Sequence, residues 1–193
     1  MPTTQRTDAR RNRERLLDAA HEAFTEAGAD ASLNDIARRA GVGPGTLYRH
    51  FPTRSALLAA VLHERIERLC AYAGHLTGTR PADEALAEWL RAFIAHNLAY
   101  HGLASALFLE APDTLNANCH EDIRNAGAAV LTHAQRSGTA RPDLSAPELL
   151  LLALGIALTT ARPASRPAPT GTPTPDRLLA LLLDTVHPRP HTP

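Results

Sequence analysis

Two short helical patterns meet across a glycine-containing turn between Ser32 and Phe51, in the run SLNDIARRAGVGPGTLYRHF, and this join constrains the chain more than any other feature. Ser32, followed three residues later by Asp35, has the spacing of a capping box, in which each polar group satisfies a backbone N–H at a helix start. Ile36, Ala37 and Ala40 then supply an apolar stripe. Gly41 stands where a left-handed residue ends a helix without a Cβ penalty, and Val42 is the buried plug expected in the turn. Pro44 fits the first turn of a second helix, where a missing N–H is no loss, and Leu47, Tyr48 and Phe51 form its packing side. Gly45, Thr46, Arg49 and His50 lie between them, small or hydrogen-bonding residues that leave a face open to a nucleic-acid groove. The pattern is that of a helix-turn-helix.

Helical periodicity continues along the chain and strand-like alternation is absent, so the fold class is all-α. A first helix runs from about Ala9 to Ala27, with Leu16, Leu17, Ala20 and Phe24 on one face and Gly28 as its stop. A fourth starts after Pro52 with Thr53 as N-cap, carries Leu57, Leu58, Val61, Leu62, Ile66 and Leu69, and is long enough to join two domains. Beyond the break at Gly78 to Pro81, an amphipathic helix reaches Tyr100, a short one covers Leu103 to Leu109, and another runs from Leu115 to Arg136. Ser145, Pro147 and Glu148 open LLLLALGIALTT, and Thr174, Pro175 and Asp176 open RLLALLLDTV. These last two helices are apolar almost all round, which calls for burial on more than one side. An intramolecular core and a second copy of the chain both meet that demand. Between them ARPASRPAPTGTPTP holds five prolines and reads as an extended or flexible loop.

A chain of 193 residues with 44% hydrophobic content builds one domain or two small ones. No apolar run is long enough for a membrane span and the N-terminus lacks an apolar signal region, so a cytoplasmic protein without a membrane partner is expected. Formal charge is zero, yet Arg6, Arg10, Arg11, Arg13 and Arg15 meet only Asp8 and Glu14 in a local basic arm. Arg10, Arg11 and Arg13 fit either a reach into a minor groove or an unpatterned basic tail. Cys70 and Cys119 have no metal-binding spacing and read as free thiols. His96, Cys119 and His120 match no standard ligand pattern, so no metal and no cofactor is expected. Catalytic motifs such as G-x-S-x-G, a P-loop or H-E-x-x-H do not occur, and the expectation is that the chain is not an enzyme.

AGVGPGTLYRHFPTRSALLAAVL, together with the preceding RERLLDAAHEAFTEAGADASLNDIA, resembles the DNA-binding segment of the tetracycline-repressor (TetR) family of bacterial regulators. The HNLAYHGLASAL stretch is similar to the C-terminal domain of SbtR-like regulators. The resemblance implies a three-helix reading domain over residues 1–53, joined by a long helix to a helical effector-binding and dimerisation domain over residues 54–193. It also implies pairing of two chains through the last two long helices, a palindromic double-stranded DNA operator, and a small-molecule effector. Repressor, activator and ligand-promoted binder remain open as signs of that coupling, and a helical ligand-binding protein without DNA function stands as a reading of another class.

For DNA contact, chemistry assigns Thr46 and Tyr48 hydroxyls to phosphate oxygens, a ring N–H to His50, and to Arg49 a reach to phosphate or a guanine edge. Pro44 and Gly45 approach bases closely, Asn34 lies at the preceding helix start, and Arg54 opens the fourth helix, where the dipole favours phosphate. Arg38 and Arg39 fit a solvated face or a backbone contact. Gly43 departs from the Ser or Thr of many relatives and lacks their hydroxyl. For the implied effector pocket, the candidate liners are Trp89, Phe93, His96, Tyr100, Phe108, Cys119, Ile123 and Leu154, each of which ordinary core packing also suits.

Overall fold

The computed structural model describes residues 2–110, 117–161 and 171–188, with the side chains of 2–6, 29, 101–110 and 117–118 outside the description. Every described element is helical: α1 (Pro2–Ala27), a 3-10 turn (Gly28–Asp30), α2 (Leu33–Arg39), α3 (Pro44–His50), α4 (Arg54–Thr79), α5 (Ala82–Glu110), α6 (Ala117–Arg136), α7 (Ala146–Thr160) and α8 (Pro175–Val186). The all-α expectation holds. None of the described helices is long and apolar enough to cross a membrane.

Two compact units emerge, Met1–Glu64 with Gly102–Asn116, and Arg65–His101 with Ala117–Pro193. In the first, α1 packs on α2 and α2 on α3. Leu16, Ala20 and Phe24 of α1, Ile36 and Ala37 of α2, Leu47 of α3, and Leu57, Leu58 and Val61 of α4 are all buried. Side chains four residues apart share one helix face, which is why these apolar residues point inward together.

The core of the second unit is built around Trp89 of α5, which is fully buried. Its indole N–H donates to the Leu69 carbonyl of α4 at 3.0 Å, and its ring stacks on Phe93 at a centroid distance of 5.7 Å. At Gly127 of α6 a Cβ would lie 3.2 Å from both Leu150 methyls and from the Trp89 ring edge, so α5, α6 and α7 meet there at near-contact distance. The Gln135 side-chain amide donates to the carbonyls of Arg141 at 3.1 Å and Leu144 at 2.8 Å, fixing the loop between α6 and α7.

Helix starts follow local chemistry. Glu148 accepts from the Ser145 N–H at 2.9 Å and from its hydroxyl at 2.6 Å, Thr174 accepts from Arg177 N at 3.2 Å, and Thr53 accepts from Ala56 N at 3.0 Å. Three expectations change. The separate helix over Leu103 to Leu109 is the continuation of α5, since a single Gly102 with no cap costs only about 1 kcal/mol in a helix of this length. The first helix begins at Pro2 and not at about Ala9, so the whole basic arm, Arg6 included, lies on α1. At Ser32 only half of the capping box forms, as its hydroxyl accepts from Asp35 N at 3.4 Å while the Asp35 carboxylate turns to Arg38 and Arg39.

The α7 and α8 helices bury Leu149, Leu150, Ala153 and Ala157, and Leu179, Leu182 and Val186, against the core. The opposite side leaves Leu151 70% exposed, with Leu152, Leu158 and Leu181 also exposed. The proline-rich segment 162–170 falls outside the described residues.

Filling the Gly127 contact should destabilise the second unit. Gly127→Val is expected to cost about 1–3 kcal/mol by overpacking, read in urea from the emission of the one tryptophan; an unchanged midpoint would mean that α6 is free to shift.

Candidate functional site

Gly41 sets the geometry of the reading element. With φ of 64° it occupies the left-handed region, and its N–H donates to the Arg38 carbonyl while Val42 N–H donates to the Ala37 carbonyl, both at 3.0 Å. That double closure is a Schellman motif, which ends α2 with its last carbonyls satisfied. The chain is extended again at Gly43, and its carbonyl accepts from Thr46 N at 2.9 Å to begin α3. Only Ala40 to Gly43 separate the two helices.

On α3, Leu47 faces the core, and Phe51 just after the helix is buried with it. Pro44, Gly45, Tyr48 and Arg49 are exposed, at positions i, i+1, i+4 and i+5 of a single face. Tyr48 is thus on the open side, 48% exposed, and not on the packing side where its apolar ring suggested. Thr46 and His50 are half-buried along the border of that face, and Arg49 Nε donates to the Gly45 carbonyl at 3.2 Å. Asn34 is exposed in the first turn of α2. The polar surface of α3 carries hydroxyl, phenol, imidazole and guanidinium groups, a set of donors suited to phosphates and base edges.

Arginines around this face divide by their partners. Arg54 Nη1 donates to the Ala31 carbonyl at 2.8 Å, so its head supports the turn before α2 as it opens α4. Arg13 lies over the Phe51 ring at 5.5 Å, a cation–π contact that joins α1 to the end of α3. Arg39 bonds Glu26 of α1 at 2.7 Å and Asp35 at 2.8 Å, and Arg38 also bonds Asp35. Hydrogen bonding to Arg39 holds the Glu26 carboxyl below its ordinary range, and bonding to Arg38 and Arg39 does the same for Asp35. These exposed pairs tie α1 to α2 and contribute little energy individually.

The second unit holds most of the candidate effector residues. Trp89 and Phe93 are stacked in the core, Cys119 is buried, and Ile123 and Leu154 pack half-buried against the cluster. Phe108 lies on α5, and its side chain is outside the described residues. His96 and Tyr100 sit one turn apart with ring centroids 5.2 Å apart. Arg65 of α4 joins them: its Nε donates to the Tyr100 hydroxyl oxygen at 2.9 Å. Sequence reading missed Arg65, because its partner is 35 positions away and no helical spacing connects them. Burial, and then the charge of Arg65, push the His96 imidazole down to about 4, so it is neutral at physiological pH. Burial raises the thiols of Cys70 and Cys119, the former to about 11, with Asp122 and Glu67 adding to both, so neither is a ready nucleophile.

Two family descriptions match the chain: bacterial regulatory proteins of the tetR family over residues 16–61, and the C-terminal domain of SbtR-like transcriptional regulators over residues 81–188. A TetR transcriptional regulator from Streptomyces coelicolor is 38% identical, covering 91% of this chain and 98% of its own, with a TM-score of 0.78. A TetR transcription regulatory protein from Mycobacterium vanbaalenii is 30% identical, covering 95% and 99% of the two chains, with a TM-score of 0.76. An HTH-type transcriptional regulator of Staphylococcus aureus is 43% identical over 63 residues, which is 32% of this chain and 34% of that relative. The chain therefore matches about a third of the length of the curated relatives.

Two substitutions in the turn should have opposite signs. Gly41→Ala forces a Cβ into the left-handed region and toward the Arg15 guanidinium, and is expected to cost about 1 kcal/mol or more. Gly43→Ser meets open space at an ordinary φ of −73° and adds a cap to α3, raising stability by up to about 1 kcal/mol. Thermal melting of both variants checks the pair, and a shift of the same sign in each contradicts it. For His96 the ordinary value of 6.5 exceeds the folded one, so the unfolded chain binds more protons between them. Stability then falls as pH drops from 6.5 toward 4, by at most about 1.4 kcal/mol per pH unit for one group. His96→Gln should flatten that slope between roughly pH 6.5 and 5 in urea titrations, and an unaltered slope counts against a neutral His96.

Proposed function

This chain belongs to the TetR family of bacterial regulatory proteins, with an SbtR-like C-terminal domain, and from that membership we propose that it is a cytoplasmic repressor. It binds a palindromic operator as a homodimer and leaves it when a small-molecule effector occupies the C-terminal unit. Residues 1–53 act as the reader and residues 54–193 as the sensing and pairing part.

The observation that carries the DNA reading is the open face of α3, where Tyr48 and Arg49 project beside Pro44 and Gly45 over a fully buried Leu47. In this assignment Thr46, Tyr48 and His50 position the helix on phosphates, and Arg49 reads either a phosphate or a guanine. Pro44 and Gly45 let the helix tip approach bases, and Asn34 adds a contact from the start of α2. Arg54 supports the reader through Ala31 and lies at the start of α4, where the backbone N–H groups favour a phosphate.

A reading helix of seven residues spans few base pairs, so specificity needs two readers on one operator. The leucines left exposed on α7 and α8 support pairing, since large apolar side chains held in water are better covered by a partner. A two-fold packing of α7 and α8 against their copies forms a four-helix bundle and covers Leu151, Leu152, Leu158 and Leu181. Release follows if an effector binds one conformation better than another, with α4 as the continuous helix that carries residues of both units.

Binding to the duplex flanking the chain's own gene tests the repressor. Wild type should outcompete bulk DNA at moderate salt, and Tyr48→Ala with Arg49→Ala should weaken operator binding by tenfold or more, about 1.4 kcal/mol. Equal affinity for operator and bulk DNA would end the reading. Leu151→Asp should shift the protein to monomer in sedimentation and lower operator affinity at the same time; a variant still dimeric places the interface elsewhere.

A further inference from the structure

Arg10, Arg11, Arg13 and Arg15 lie close together on α1, and their partners separate them. Arg10 bonds Glu14 at 3.2 Å, and Arg13 lies over the Phe51 ring. Arg11 and Arg15 are exposed and make no hydrogen bond or ion pair with the described residues. Of these two, Arg15 is carried to the reader: a Cβ on Gly41 would lie 3.5 Å from its guanidinium carbon and closer still to Nη2. The guanidinium thus rests on the turn between α2 and α3, against an exposed glycine. A glycine Cα offers it no acceptor, so a structural tie does not account for its place.

We infer that Arg15 is a DNA-backbone contact made from α1, its guanidinium taking a phosphate at the wall of the groove that α3 enters. The inference rests on the reading of α3 as the DNA-recognition helix. Gly41 precedes Pro44 by three residues, at most about 11 Å of chain, and the major groove is about 12 Å wide. With Pro44 and Gly45 against base edges, a group over Gly41 stands near the phosphates and not over the groove floor. A guanidinium keeps its N–H donors in a planar fork that matches phosphate oxygens. The other cations flanking this turn are engaged, Arg38 with Asp35 and Arg39 with both Asp35 and Glu26. Gly43, the N-cap of α3, presents no side chain to a phosphate, and a Cβ there would meet nothing within 4 Å. A backbone contact positions a protein on the duplex and carries no sequence information. Arg15 therefore sets the register of α3 and leaves base choice to the reading face.

Fluorescence anisotropy of the full chain on the duplex flanking its own gene and on a random duplex, over a series of salt concentrations, tests this. Arg15→Gln should weaken both duplexes by a similar factor, about fivefold or more at low salt, and reduce the slope of log affinity against log salt by about 0.9 per chain bound. Arg15→Lys keeps the charge and should stay within about threefold of wild type on both. Arg124→Gln, which removes the same charge from α6, should change neither duplex by more than about twofold. The contact is overturned if Arg15→Gln leaves the salt slope unchanged or weakens the flanking duplex alone. It is also overturned if Arg15→Lys is as weak as Arg15→Gln, since the side chain then only covers the turn. Wild type that binds the two duplexes equally, with the Arg15 effects intact, keeps the contact and ends the repressor reading. Preference for the flanking duplex with no effect of Arg15→Gln does the reverse.

Discussion

The left-handed residue at Gly41 is the constraint on which the reader depends. An L side chain there pays for the backbone conformation, and without that conformation α2 cannot close on Ala37 and Arg38 and reverse within four residues. The reversal lets Leu47 reach the same core as Ile36 and Phe24, which leaves the opposite face of α3 in solvent. Exposure of Tyr48 and Arg49 is thus a consequence of packing and not a separate feature. Cross-links from Arg13 to Phe51, Arg39 to Glu26 and Arg54 to Ala31 fix the flanks of this turn from α1 and α4.

A different logic holds the second unit. With 4% aromatic residues in the chain, the lone tryptophan carries much of the large-volume packing, and its indole N–H must find a partner inside. Leu69 supplies the carbonyl, while Gly127 supplies the space for α6 and Leu150 of α7 to close on the ring. Leucines that do not fit around this centre stay outward on α7 and α8. The proposed pairing of two chains gives that outward face its partner.

Local signals were legible. Thr53, Ser145 and Thr174 announce helix starts because caps act over three residues, and Gly41 announces a stop because its conformation is intrinsic to glycine. Competition among nearby groups was not. Asp35 had a capping role by spacing, but Arg38 and Arg39 lie within reach on the same helix and take its carboxylate. Gly102 looked like a break, yet one glycine does not outweigh the helix on both sides. Tyr48 looked like a packing residue because an α3 of seven residues is too short for periodicity to separate its faces. Arg65 was invisible because its contact with Tyr100 exists only once α4 and α5 are packed. The candidate DNA-contact residues were chosen from chemistry and position, whereas the surroundings of His96 depend on long-range burial.

Hydroxyl-radical footprinting on the duplex beside the chain's own gene tests the central claim, that two α3 reading faces act together on one operator. The account predicts two protected half-sites on one side of the duplex, with centres separated by about one helical turn or a multiple of it, both lost together in Tyr48→Ala. A single protected half-site, or uniform protection that rises only with bulk DNA affinity, would contradict it.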